Sequence, residues 1–583
     1  MINQVTSNEK KRFRRVWILF LGLGIVFVLR LFQRQILLYD QYSAVANKQY
    51  YTKIDQEAKR GDILITDRDS TNLVEEEENG LFSIATNLEL FNITAVPRHI
   101  EDKSDVAKKL SEILEIDQQE IFNQINKDKW YVPPIKKRVS KEVADKVAEL
   151  HLAGIYLEGQ YFRFYPENSF LSNLLGFVNY NGDGEYGIEE YYDGILKGEG
   201  GTLKGIKDNL GRVIKVEESE PGKDGSSVVL TIDRSIQYMA EKKLKEGIEK
   251  YGAEKGSIVI ANPKTGAILA MASFPNYNPN TFNEVKTENQ DVFINPVVSL
   301  NWEPGSIFKP FIVSAAISNK IVEPDSKPDE PFGNFVTVDG YEIHNALDKP
   351  YGFETVTQIL ENSDNIGMIW IANKLGNDLM GEFLLKFGFG EKTGIDTSGE
   401  ALGQISNNKK WRDVNRATIS FGQGISATPI QIVQGYCTIA NKGKEVGLHI
   451  LDKIIEKGSK EKPYEQAKEK EVMSEEDAMK ISQMLVSVVE NGHGKKAAVS
   501  GYKVAGKTGT AQIPKSSGGY EEDQHIGSFA GFAPVDDPQF VMLVKLDKPS
   551  NVKWAEESAA PIFGEVAQWL LNSYLKVPKS GTQ

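Results

Sequence analysis

Apolar positions crowd together near the start of the chain, where residues 16–29 form an uninterrupted hydrophobic run behind Lys10, Lys11, Arg12, Arg14 and Arg15. If Arg30 extends its head group towards water, the run continues through Leu31, Phe32, Ile36, Leu37 and Leu38. That reaches the length of about 20 residues needed to cross a bilayer. The pattern predicts a transmembrane helix over 16–38 behind a tail at 1–15, and the basic flank places that tail in the cytoplasm. Ala44-Val45-Ala46 has the small-residue form of a cleavage site but lies well beyond the apolar core, so the segment reads as an uncleaved signal anchor. Residues 39–223 then mix short β-rich stretches with charged helical patterns, as in Val106-Ala107-Lys108-Lys109-Leu110 and Ala144-Asp145-Lys146-Val147-Ala148. An acidic run at 75–78, ending in Asn79-Gly80, reads as a solvated loop, and 217–225, with Pro221-Gly222 and Asp224-Gly225, as a hinge.

Beyond the hinge the period changes. Ser257-Ile258-Val259-Ile260, Pro263-Lys264-Thr265-Gly266 and Ala267-Ile268-Leu269-Ala270 read as strand, turn and strand. Phe540-Val541-Met542-Leu543-Val544 reads as another strand, and 563–571 as a closing helix. Strands at both ends of 231–575 with helices between suit an antiparallel sheet covered by helices on both faces. Periodicity by itself supports α/β or α+β. Residues 576–583 read as a short flexible tail.

Composition narrows the function classes. A chain of 583 residues is long enough for two or more domains and a large core. Its formal net charge of -13 argues against a nucleic-acid partner. A single cysteine, Cys437, excludes an intrachain disulfide, and its apolar neighbours mark it as a buried small hydrophobe. Six scattered histidines lack zinc-site spacing, so no metal and no cofactor is expected. No G-x-S-x-G elbow supports a Ser-His-Asp hydrolase.

The candidate chemistry begins at Ser306-Ile307-Phe308-Lys309, entered through Trp302-Glu303-Pro304-Gly305 at a predicted helix start. A hydroxyl and an amine three residues apart share one helix face. Serine is a poor nucleophile until a neighbour takes its proton. Ser363-Asp364-Asn365 and Lys507-Thr508-Gly509 follow. Taken alone, the first reads rather as a polar turn or helix cap and the second as a strand ending in a turn; in this order the three form the serine acyltransferase triplet.

The flanks extend the match. Arg60-Gly61-Asp62-Ile63 with Asp67-Arg68, then Arg163, Tyr165-Pro166 and Leu175-Gly176, then Gly187-Ile188-Glu189 all fit one family pattern. So do Leu230-Thr231-Ile232-Asp233, Gly422-Gln423-Gly424, Thr428-Pro429-Ile430-Gln431 and Val504-Ala505-Gly506. On these residues the chain resembles the class B, monofunctional penicillin-binding proteins over nearly everything after about residue 50. Two departures stand out: Asn491-Gly492-His493-Gly494 replaces the more usual G-T-G, with His493 read as a loop residue, and the stretch from Arg60 to Arg68 is long for its motif.

The resemblance implies a non-catalytic pedestal of the dimerisation type at 39–223 and a transpeptidase domain, serine β-lactamase-like, at 231–575. It implies a D,D-transpeptidase that cross-links peptidoglycan stem peptides from a D-Ala-D-Ala donor to an acceptor amine, and that β-lactams acylate. Ser306 is the expected nucleophile and Lys309 its base. A free lysine, with a pKa of about 10.4, must be favoured in its neutral form by about 4 kcal/mol to reach 7. Desolvation and Lys507 push that way. Ser363 relays the proton, Asn365 holds Lys309 and substrate, and Lys507 with Thr508 and Thr510 meets a terminal carboxylate at a strand edge that Gly509 leaves open. By resemblance, the oxyanion hole uses the backbone N–H groups of Ser306 and Thr510. A SEDS-type membrane glycan polymerase is the implied partner. A β-lactam sensor would bring several membrane helices, and a β-lactamase would lack the anchor and pedestal and need a residue placed to activate water.

Overall fold

The computed structural model describes residues 7–43, 51–56, 58–67, 80–130, 132–207, 213–515 and 519–579. The Ala44–Ala46 site, Arg68 and the acidic run at 75–78 lie outside the described residues, as do 580–583 of the tail.

The chain divides into two compact units. One comprises residues 1–59 and 198–224. It holds the N-terminal helix Ser7–Phe32, continued by a π-helical turn Gln33–Leu37. Lys11–Leu37 is the one span among the described residues long and apolar enough to cross a membrane. Its large side chains, Trp17, Phe20, Phe27 and others, face outward, as expected where lipid replaces a protein core. The unit also carries an antiparallel sheet of Tyr51–Gln56, Gly201–Lys207 and Val213–Glu220. Residues 217–220, expected in a hinge, therefore lie in a strand, with 218–220 paired against 202–204.

The second unit comprises residues 60–197 and 225–583. A seven-stranded sheet joins Ile63–Thr66, Leu81–Ala95, Lys136–Val139 and Ile155–Phe164 to Ser227–Asp233, Leu451–Glu456 and Lys460–Pro463. Helices form at both charged patterns read from the sequence, at Lys103–Leu114 and Lys141–Glu149, each N-capped by a side chain, Asp102 or Ser140.

The expected antiparallel sheet has five strands: β1 (Lys255–Ala261), β2 (Ile268–Phe274), β3 (Ala505–Pro514), β4 (Tyr520–Ala533) and β5 (Phe540–Asp547), in the order β2-β1-β5-β4-β3. The apolar runs of β1 and β5 are continuous because both faces are covered. Ile258, Ile260, Met542 and Val544 pack with helices α1 (Arg234–Tyr251) and α6 (Ala559–Trp569). Val259, Ala261, Val541 and Leu543 join the opposite core with α2 (Lys309–Ser318), α3 (Asn365–Lys386), α4 (Pro429–Ala440) and α5 (Glu475–Glu490). Helix α2 is buried all round, which explains its lack of a polar face. Cys437 on α4 is buried, and burial pushes its thiol up and out of reactive range. β3 is an edge strand, so one side of its backbone is free of a β-partner.

Candidate active site

Ser306 sits on a short 3₁₀ turn, Gly305–Phe308, that runs directly into α2. The sequence predicted an α-helical start; the tighter turn stacks residues three apart over one another. Gly305 has φ +60°, a conformation that favours glycine. Its N–H donates to the Gly422 carbonyl at 3.0 Å. A Cβ on Gly422 would lie 2.1 Å from the Gly305 carbonyl oxygen, so the Gly422 turn fits there only without a side chain. Tyr436 holds the turn from below, its hydroxyl donating to the Ile307 carbonyl at 2.9 Å. Phe308 packs against Phe311 and Phe389.

Lys309 is fully buried. Its Nζ lies 2.6 Å from the Ser363 carbonyl oxygen, 3.2 Å from Ser363 Oγ and 2.9 Å from Asn365 Oδ1. Ser363 Oγ in turn donates to Ser306 Oγ at 2.9 Å. Ser363 thus stands between the serine and the amine, where the sequence reading paired Ser306 with Lys309 directly. The turn that presents it is unusual: Ser363 has φ +55°, a strained conformation for a residue with a Cβ. Asp364, expected to cap, accepts from Ile366 N and Gly367 N at the start of α3. Asn365 is held by two residues that sequence reasoning missed. Its N–H donates to Asn345 Oδ1 at 2.8 Å and its Nδ2 to the His344 carbonyl at 3.1 Å. Neither residue sits in a recognisable motif, and only the fold brings them to the site.

Lys507, on β3, is also fully buried. Its Nζ lies 3.2 Å from the Thr508 carbonyl oxygen and 3.4 Å from Thr508 Oγ1. Burial lowers it to about 7, with Glu556 the opposing influence. Burial, reinforced by the charge of Lys507, pushes Lys309 well below a lysine's ordinary value, against the pull of Asp364 and Glu354. Both lysines are therefore poised to lose a proton.

Ser306, Ser363, Asn365, Thr508 and Thr510 line one cleft of about 980 Å³, with both lysines behind its wall. Gly509 does not open the strand edge, as the sequence reading had it. A Cβ there would meet Ser528 Oγ at 2.7 Å, Ile307 Cγ2 at 2.9 Å and the Pro304 carbonyl at 3.1 Å. Its missing side chain lets the nucleophile turn pack onto β3. Thr510 Oγ1 accepts from Ala555 N at 3.2 Å. His493 sits in a turn but lines the cleft, its Nδ1 2.7 Å from Glu556 Oε2. Glu303, beside the nucleophile turn, accepts from Gly424 N at 3.0 Å and Tyr520 OH at 3.1 Å.

Known proteins share this fold. The model of the penicillin binding protein transpeptidase domain matches residues 256–568, and that of the penicillin-binding protein dimerisation domain matches residues 55–230. Stage V sporulation protein D of Bacillus subtilis is 34% identical over 572 residues, covering 96% of this chain and 85% of that protein. Peptidoglycan D,D-transpeptidase FtsI of Escherichia coli is 30% identical, covering 84% of this chain and 82% of its own. Among solved structures, penicillin binding protein 3 of Mycobacterium tuberculosis in complex with aztreonam superimposes with a TM-score of 0.69 at 26% identity, over 90% of this chain and 98% of that one. The chain belongs to the penicillin-binding protein transpeptidase family.

Proposed function

We propose that the protein is a peptidoglycan D,D-transpeptidase of cell wall synthesis that works through a serine acyl-enzyme. The observation that carries this reading is the hydrogen-bonded chain from Ser306 Oγ through Ser363 Oγ to the buried amine of Lys309. With Lys309 neutral, Ser306 gives its proton to Ser363, and Ser363 gives its own to Nζ. The Ser306 Oγ bond to the donor carbonyl forms, the C–N bond to the terminal D-alanine breaks, and the proton leaves on that amine. An acceptor amine then reverses the sequence; water in its place gives D,D-carboxypeptidase side activity.

Backbone N–H groups of Ser306 and Thr510 hold the oxyanion, a contribution of several kcal/mol in comparable sites. Asn365 orients Lys309 and the substrate backbone. Lys507, with Thr508 and Thr510, meets the donor's terminal carboxylate, and β-lactams enter by the same route. A relative named as a peptidoglycan D,D-transpeptidase and a solved structure with aztreonam bound support the substrate and the inhibitor class. We assign 1–15 to a cytoplasmic tail, 16–38 to the anchor, 39–223 to the pedestal, 231–575 to the extracytoplasmic transpeptidase domain and 576–583 to a tail. A SEDS-type glycan polymerase is the partner expected at the anchor and pedestal.

The test is the intact mass of the detergent-solubilised full-length chain, followed over time with a β-lactam. A persistent adduct on the Ser306 peptide, absent in Ser306→Ala, is expected. No adduct at all would remove the acyl-enzyme, and rapid loss of the adduct with drug turnover would make the protein a β-lactamase.

A further inference from the structure

Two buried carboxyl groups beside Lys309 take no part in the scheme above. Asp364 is completely buried and Glu354 is 5% exposed. One oxygen of each is occupied: Asp364 Oδ1 accepts from Ile366 N at 2.7 Å and Gly367 N at 3.0 Å, and Glu354 Oε1 from Asn362 Nδ2 at 2.5 Å. The other two, Asp364 Oδ2 and Glu354 Oε2, are sealed from solvent and find no N–H or O–H donor among the described residues. Asn362, two residues before Asp364, holds Glu354 against the same turn through its Nδ2. Two ionised carboxylates with orphaned oxygens in one buried site repel, whereas a single proton between them turns that repulsion into a hydrogen bond.

We propose that Glu354 carries this proton and donates it to Asp364 Oδ2, forming an acid–carboxylate pair that positions the Ser363 turn and limits the negative charge beside Lys309 to one. Glu354 is the donor because Asp364 is already committed as an acceptor, taking two backbone N–H groups at the start of α3. The charged and titratable groups facing Glu354 are Asp364, Glu361, Lys309 and Tyr351. Burial, with the charge of Asp364 behind it, raises Glu354 to about 8, and burial with both carboxyls raises Tyr351 to about 12. When Glu354 ionises, a second negative charge faces Lys309, which then keeps its proton more firmly and is less often the neutral amine that acylation requires. Glu354 is thus a positioning residue, acting through Asp364 and Lys309 without touching substrate.

This inference rests on the acyl-enzyme reading, and two measurements on the full-length protein in detergent separate them. The first is the rate constant for acylation by a fluorescent penicillin across pH. The wild type loses rate as pH rises through about 8. Glu354→Gln keeps an N–H for Asp364 and an oxygen for Asn362, so it stays within about twofold of wild type at pH 7 and shows only the shallower decline that Lys507, at about 7, sets for a carboxylate-bearing drug. Glu354→Leu loses tenfold or more. A Glu354→Gln profile that declines as the wild type does would overturn the proposal. The second is the infrared C=O band of a protonated carboxylic acid, expected in wild type at pH 7, fading towards pH 9 and absent in Glu354→Gln. A wild-type spectrum without a band that titrates in this window overturns the pair, whether or not any variant folds. A wild type that takes no label at any pH overturns the acyl-enzyme reading instead, and the infrared result then decides the pair alone.

Discussion

Lys507 is a buried amine whose Nζ, among the described residues, donates to the carbonyl and hydroxyl oxygens of Thr508. Burial lowers it to about 7. A ligand carboxylate placed opposite favours the charged form and raises it. Below pH 7 the lysine already holds its proton, so binding there takes up little. At pH 8 most of it is neutral, and binding draws a proton from solution. Calorimetry of a carboxylate-bearing β-lactam on Ser306→Ala, in buffers of differing ionisation enthalpy, should show net uptake at pH 8 and much less at pH 6. Equal uptake at both would detach Lys507 from carboxylate recognition. Gly509 offers a second residue-scale prediction. Alanine there presses on Pro304 and Ile307, and overpacking of this kind costs about 1–3 kcal/mol. Gly509→Ala should lower the melting temperature and slow acylation at least tenfold, because the displaced turn carries Ser306; an unchanged acylation rate would remove Gly509 from the support of that turn.

Between elements, one ion network explains motifs that the sequence shows as separate. Glu189 is wholly buried and receives Arg163 Nε at 2.7 Å, Tyr165 OH at 3.1 Å and Arg60 Nε at 2.9 Å. Arg60 also pairs with Asp193 at 2.7 Å, and Arg163 donates to the Gly61 carbonyl at 2.7 Å. The R-G-x-I, R-x-Y-P and G-I-E stretches are thus one structural knot, far apart in the chain. Glu189→Ala leaves Arg163 buried without its carboxylate and Arg60 with Asp193 alone, a loss of about 3–5 kcal/mol. Denaturant unfolding should show that drop, and a change under 1 kcal/mol would mean water enters the knot. The nucleophile turn shows why elements are hard to read locally. The pattern marks a helix start at Ser306, but the choice of a 3₁₀ turn comes from contacts with Gly422 and β3.

At the scale of the molecule, the helix Ser7–Phe32 presents exposed apolar side chains on all sides, with none of the described residues burying them. An apolar surface of this size is stable in lipid and not in water. Removing residues 1–38 should move the protein from the membrane to the soluble fraction, with acylation of Ser306 retained. Persistent membrane association would assign attachment to another surface.

The apolar N-terminal helix, the three motifs and three strands of the five-stranded sheet, β1, β2 and β5, were legible in the sequence because each depends on neighbours within a few residues: hydropathy, a helical spacing, a continuous apolar run. Even the demand that Lys309 be depressed followed from the ordinary pKa of lysine. The route from Ser306 to Lys309 did not, since it depends on Ser363 arriving across 57 positions in a left-handed turn. Asn345, Glu354 and Glu556 carried no signal, because a polar residue in a loop reads the same whether it faces water or a buried amine. Nor did the seven-stranded sheet, in which Ile63–Thr66 and Leu451–Glu456 flank the same strand. Local chemistry names the groups that can react. Burial and long-range packing set their charge and decide which of them meet.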